Sequence, residues 1–170
     1  MDDGKCLAAR VLSLCLQFPQ KGFGETIAEA CKSAGECGCP ELAAIGRSFL
    51  PLLAGKKLLA LQEEYTAAFD LNPKTCLDLT WHKWGDSRDR GKHLARLKAL
   101  LREEGYEPAG GELPDYLPAL LEFMSVCSEA NRRTLAEEFG GEVNLLAARL
   151  REAGSSWSEV LEAAAGLFKP

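Results

Sequence analysis

What is scarce in this sequence narrows it first. Two histidines and two methionines occur among 170 residues. His82 and His93 fall on separate segments and read as polar edge residues, not as a ligand pair. No H-E-x-x-H, G-x-S-x-G, G-x-x-x-x-G-K-[ST] or G-x-G-x-x-G pattern occurs, so the usual zinc-hydrolase, nucleophile-elbow and phosphate-cradling sites are missing. No apolar run approaches the ~20 residues that a membrane span requires. The net charge of −5 leaves few spare cations, which makes free nucleic acid a poor partner and a basic peptide a better one. The opening Met1-Asp2-Asp3-Gly4-Lys5 is acidic where a secretory signal is basic, so export is not expected. No segment alternates polar and apolar residues as a half-buried strand does.

Cysteine is plentiful, but at seven it is an odd number. Several cysteines fall in apolar stripes, where the thiol behaves as a small hydrophobe. Without an export signal a disulfide framework is not expected. Cys37-Gly38-Cys39 is a spaced thiol pair with no second pair and no nearby histidine, which gives a zinc site little support. Adjacent acids such as Glu63-Glu64, Glu103-Glu104 and Glu137-Glu138 splay around a helix and do not converge on one substrate.

What is present is helical periodicity. Lys5 to Phe18, Glu25 to Ala34, a segment opened by Pro40, Lys56 to Phe69, a short piece ending near Trp84, and Arg88 to Glu104 each carry an apolar stripe. Asp86 or Ser87 is placed to cap the sixth, and Gly105 to end it. Pro51 should kink or stop the third helix. Asn131 to Arg151 follows, with an interruption expected at Gly140-Gly141. Ser156-Trp157-Ser158-Glu159 has the form of a capping box for a last helix. The basic residues of Arg88 to Arg102 alternate with acids and read as a salt-bridged surface. The whole is an all-α chain, residues 1–170 as a single-domain bundle of about eight or nine helices.

The central element is Leu113-Pro114-Asp115-Tyr116-Leu117-Pro118-Ala119-Leu120-Leu121-Glu122-Phe123-Met124. Asp115 is placed to cap its first turn, and Pro118 falls early enough to be tolerated. Leu117, Leu120, Leu121 and Met124 repeat at helical spacing, and Phe123 widens the stripe until little polar surface is left. Such a helix belongs inside a bundle. Glu122, the lone charge, must be exposed or paired. The aromatic and acidic residues around Tyr65 to Asp70, Trp81 to Trp84 and Tyr106 read first as core, and second as a groove for a basic amphipathic peptide.

An ordered set of motifs joins these parts. It runs Tyr65-x-x-x-Phe69-Asp70-Leu71, Cys76-Leu77-x-Leu79-Thr80, Gly85-Asp86-x-Arg88-x-Arg90-Gly91, Gly105-Tyr106-Glu107-Pro108, and Glu112-Leu113-Pro114-Asp115-Tyr116-Leu117-Pro118-x-x-Leu121-Glu122-Phe123. The set resembles the NarJ-type nitrate reductase molybdenum cofactor assembly chaperones of the TorD-like group. The likeness covers about Tyr65 to Phe123. It implies an all-helical fold, no catalysis and no cofactor of the protein's own. It also implies a cytoplasmic chaperone that holds the N-terminal segment of a molybdoenzyme catalytic subunit until the molybdenum cofactor is inserted.

The expected site is a groove beside the central helix. Tyr65, Phe69, Tyr106, Leu117 and Leu121 would receive the apolar face of the client peptide, and Asp70, Asp115 and Glu122 would select its basic side chains. The expected partner is that peptide, with no nucleic acid and no stable membrane insertion, and the protein a monomer or weak dimer. The alternatives are a structural adaptor for folded partners and a small metal-binding protein using Cys37 and Cys39.

Overall fold

The computed structural model describes residues 3–35, 42–43, 45–107 and 111–169. Asp3–Cys15 (α1) and Phe23–Gly35 (α2) come first. A π-helical turn, Ile45–Phe49, leads into the single-turn Leu50–Leu53 (α3). Leu58–Tyr65 (α4) runs into a second π-helical turn, Thr66–Asp70. Leu79–Trp84 (α5), Arg88–Glu103 (α6), Leu117–Val126 (α7), Glu129–Glu152 (α8) and Ser158–Leu167 (α9) complete the order. The expected all-α class holds, with nine α-helices among the described residues. The nearest thing to a strand there is a single antiparallel bridge, Asp78 to Tyr116.

The apolar α7 packs along α1, and α9 lies against α8 and α1. Leu117, Leu120, Leu121 and Phe123 are fully buried, as their all-round apolar pattern requires. The junction of α1 with the bundle shows how the buried polar groups are satisfied. The carbonyls at the end of a helix lack intrahelical partners. Trp157 Nε1–H donates to the Cys15 carbonyl at 3.0 Å, and the Tyr65 hydroxyl donates to the Leu16 carbonyl at 2.7 Å. The Trp157 ring then sits edge-on to Phe49, Tyr65 and Phe69, with centroids 5.7, 5.7 and 5.9 Å away. Ser13 Oγ donates to the Pro118 carbonyl at 2.8 Å and ties α1 to the first turn of α7.

Several local expectations hold. The Ser87 hydroxyl caps α6 by accepting from the Asp89 N–H at 3.2 Å. Gly105, at φ +73°, ends α6 while the Tyr106 N–H reaches back to the Leu101 carbonyl at 2.9 Å. Pro51 occupies the first turn of α3, directly after the π-helical turn, so the helix is disturbed where its missing N–H falls.

Three expectations are corrected. α8 runs without a break through Gly140-Gly141, because Gly140 is used for close packing and not for a turn. A Cβ there would lie 2.7 Å from the Phe168 carbonyl oxygen. The capping box at Ser156 does not form. Trp157 is the N-cap of α9 without a side-chain cap, and Ser156 Oγ lies instead 3.5 Å from both Lys56 Nζ and Glu64. Asp115 does not cap α7, whose N-cap is Tyr116 without a side-chain bond. Its carboxylate is committed elsewhere.

Candidate peptide-binding site

The quoted motifs converge at the start of α7. Leu117 N–H donates to the Leu77 carbonyl at 2.9 Å, and Leu79 N–H to the Asp115 carbonyl at 3.1 Å, which joins 77–79 to 115–117 as one rung of a ladder. The Asp115 Oδ2 atom accepts from the Thr80 backbone N–H at 2.9 Å and from its hydroxyl. α5, whose own N-cap Asp78 makes no side-chain capping hydrogen bond, is therefore capped from another part of the chain. Arg90 of α6 approaches the same carboxylate at 3.7 Å, donates through Nε to Thr80 Oγ1 at 2.9 Å, and lies over the Trp81 ring. Burial, followed by the charge of Asp115, pushes the Asp78 carboxyl above its usual range. This knot sets the path of 111–117 over the bundle.

Five of the eight expected site residues lie inside. Tyr65, Phe69, Leu117 and Leu121 belong to the core, and Asp115 is 0% exposed. Tyr65 and Phe69 pack on Trp157, Leu117 and Leu121 face the interior of the bundle, and Asp115 is spent on Thr80 and Arg90. The expected acidic rim therefore does not include Asp115, since a carboxylate capping a buried helix end is withdrawn from solvent. Asp70, Tyr106 and Glu122 reach the surface.

Those three are joined by residues that sequence reasoning left out. The Tyr106 hydroxyl donates to Glu122 Oε2 at 3.0 Å, so Glu122 is both exposed and paired. The Tyr106 ring rests on Phe123 with centroids 5.4 Å apart. Beside it a cleft of about 460 Å³ opens between α6 and 111–114, with Leu94, Leu113 and Pro114 supplying apolar wall and Lys98, Glu107 and Glu112 supplying charge. Tyr116 is half-buried with its hydroxyl 3.2 Å from that of Tyr65. Because the Tyr65 hydroxyl already donates to Leu16, Tyr116 is the donor of that pair and keeps acceptor capacity towards solvent. Phe18 stands edge-on to Tyr65 at 5.5 Å and is 39% exposed. Leu71, next to Asp70, is 76% exposed.

The electrostatics bind these pieces into one surface. Partial burial, followed by the charge of Glu122, raises the Glu112 carboxyl. Burial, the hydrogen bond to Glu122 and the charges of Glu122 and Glu112 raise the Tyr106 phenol. Burial raises Tyr116, with Glu112 and Asp70 both adding to it. Glu122, Glu112 and Asp70 thus place negative charge around Tyr106 and Tyr116. Among the described residues Glu112 makes no hydrogen bond or ion pair. Its signal in the sequence was slight: it opens a loop, outside any periodic stripe, and only the fold sets it beside Glu122.

No group of three or more His, Cys, Asp or Glu side chains among the described residues is placed to hold a metal ion. Cys37 and Cys39 lie outside the described residues. His82 Nε2–H donates to the Cys76 carbonyl at 2.8 Å, and His93 stacks on Trp84 at 3.7 Å. No helix among the described residues is long and apolar enough to cross a membrane.

Comparison with known proteins adds a family. A family model described as nitrate reductase delta subunit matches residues 36–163. The probable nitrate reductase molybdenum cofactor assembly chaperone NarJ of Bacillus subtilis is 37% identical over 102 residues, which are 60% of this chain and 55% of that protein. The probable chaperone NarW of Escherichia coli K12, described in the same words, is 29% identical over 154 residues, 91% of this chain and 64% of its own. The nitrate reductase molybdenum cofactor assembly chaperone NarJ of Escherichia coli K12 is 31% identical over 114 residues, 67% and 48% of the two chains. The chain spans about half to two thirds of the length of these relatives.

Proposed function

The chain belongs to the nitrate reductase delta subunit family, and we propose that it is an assembly chaperone for a nitrate reductase-like molybdoenzyme. It holds the N-terminal segment of the catalytic subunit while the molybdenum cofactor is inserted. It works by binding and not by chemistry, in the cytoplasm, and residues 1–170 form a single helical domain.

The observation that carries the peptide reading is the acidic, aromatic surface. Glu122 is bonded to Tyr106, Glu112 acts on Tyr106 and Tyr116, Asp70 acts on Tyr116, and a cleft opens beside Tyr106. An amphipathic helix with basic residues suits such a mixture of carboxylates and aromatic rings. Its apolar side chains enter the cleft against Leu94, Leu113 and Tyr106, and its cations meet the three carboxylates. A few apolar anchors then dominate affinity, while the acids set specificity and association rate. Tyr65, Phe69, Asp115, Leu117 and Leu121 serve the site from beneath, by fixing the position of 111–117 and of α7. The adaptor reading, with docking of folded partners only, has no surface feature that favours it over this one.

The test is a calorimetric titration with synthetic N-terminal peptides of the molybdoenzyme catalytic subunits encoded by the same source. One peptide should bind with a Kd on the order of micromolar or tighter, at one-to-one stoichiometry. Folded protein that binds none of them, but does bind a folded catalytic subunit, would replace the peptide reading with the adaptor.

A further inference from the structure

The two walls of the cleft beside Tyr106 differ in charge. Four charged side chains line it: Lys98, Arg102, Glu107 and Glu112. Arg102 and Glu107 are paired with each other at 3.0 Å, so their charges offset. That leaves Lys98 on the α6 wall and Glu112 on the facing wall, 111–114. Among the described residues neither makes a hydrogen bond or an ion pair, with the other or with any third group. On the Glu112 side stands a second carboxylate, that of Glu122, which accepts from the Tyr106 hydroxyl at 3.0 Å.

Both unpaired charges are hydrated while the cleft is open. A chain that covers the apolar wall of Leu94, Leu113 and Pro114 strips water from them. An ionised group loses that water at a cost unless an opposite charge takes its place. An amphipathic helix lying in a cleft offers two polar flanks, one to each wall. Bases suit the flank that faces Glu112 and Glu122. On the flank that faces Lys98 a base meets a like charge, whereas an acid meets its counterion. Lys98 thereby rejects a helix that is basic on both flanks, which the carboxylates alone would accept.

We propose that Lys98 is a specificity-determining residue of this cleft, and that the segment taken there is an amphipathic helix with bases along one flank of its apolar stripe and an acidic side chain on the other. This rests on the peptide reading given under Proposed function and narrows the class of peptide.

Calorimetric titration of the full chain at low salt, where exposed charges are least screened, tests this with two synthetic helical peptides. They share length and apolar stripe. One carries Lys on one flank and Glu on the other, and the second carries Lys on both. The wild type should bind the mixed peptide about three- to tenfold more tightly. Lys98→Glu should reverse the order. Lys98 is exposed, so the variant keeps the fold, which an unchanged helical circular dichroism spectrum checks. Lys21→Glu makes the same change in net charge on the turn between α1 and α2, outside the cleft, and should leave the wild-type order intact. Equal affinity of the wild type for the two peptides, or preference for the all-basic one, overturns the proposal and leaves the peptide reading standing. An order moved as far by Lys21→Glu as by Lys98→Glu overturns it too, since net charge alone then sets the preference. Binding of neither peptide also overturns it, and the peptide reading is then decided separately by the titration with catalytic-subunit peptides.

Discussion

Thr80 and Asp115 stand thirty-five residues apart and share one hydrogen-bonded junction, in which the Asp115 carboxylate accepts from the Thr80 backbone N–H at 2.9 Å. With Arg90 at 3.7 Å, this buried carboxylate holds together α5, α6 and the entry to α7. Removing one partner of a buried charged network leaves the other uncompensated. Asp115→Ala should therefore cost about 3–5 kcal/mol, read by urea unfolding. Asp115→Asn keeps an oxygen for the Thr80 N–H and should cost less. Equal and small losses in both variants would mean that the junction does not hold the helices.

Leu121 and Glu122 are neighbours with opposite fates, one fully buried and one exposed. Leu121→Ala should lower stability by about 2–5 kcal/mol through the cavity it leaves. Glu122→Gln should leave the melting temperature nearly unchanged and weaken binding of a basic peptide. Calorimetry and thermal melts on the two variants separate the roles. Intact stability with lost affinity in Leu121→Ala would return that residue to the contact surface.

Glu112 provides the pH dependence. Its carboxyl is raised in the folded chain, by partial burial first and by Glu122 second. The sign follows from that direction. The folded chain takes up this proton at higher pH than the unfolded chain does. The group's contribution to stability is therefore greatest below its unfolded pKa and is lost as pH rises through the window up to the folded value. A basic peptide requires the ionised form and so favours the other end. Its affinity should begin to fall, on acidification, above the pH at which an ordinary glutamate protonates. Glu112→Gln should weaken binding at neutral pH and flatten that part of the profile. A profile identical in wild type and variant would remove Glu112 from the site.

Gly140 and Gly141 separate packing from helix propensity. Both sit inside α8, but only Gly140 has Phe168 backbone against it, at 2.7 Å from a built Cβ. Gly140→Ala should destabilise by about 1–3 kcal/mol, since α9 must shift. Gly141→Ala meets nothing within 4 Å and should stabilise by roughly 0.5–1 kcal/mol. Urea midpoints moving in the same direction for both would argue against the close contact.

The helices themselves were legible in the sequence, because apolar spacing, Ser87 and Gly105 act within one or two turns. So was the burial of α7, since Leu117, Leu120, Leu121 and Phe123 leave it almost no polar face. The resemblance of the motifs from Tyr65 to Phe123 pointed to the family that the comparison found. What the motifs do was not legible. Asp115 looked like a local cap and a rim charge, yet it caps a different helix. Tyr65 looked like a groove wall, yet its hydroxyl closes the end of α1.

These are the cases in which a polar group has a choice of partners. Local spacing offers a carboxylate or a hydroxyl its nearest helix end, but the groups that most need it are buried helix termini far away in the chain. Glu112 shows the converse. As a loop residue it carries no periodicity, and its importance arises only when 111–114 folds beside Glu122. The sequence by itself determined the helical class, the buried central helix and the family. The tertiary structure decided which polar side chains were consumed in holding the bundle and which were left at its surface, because only the packed chain shows where the unsatisfied backbone groups lie.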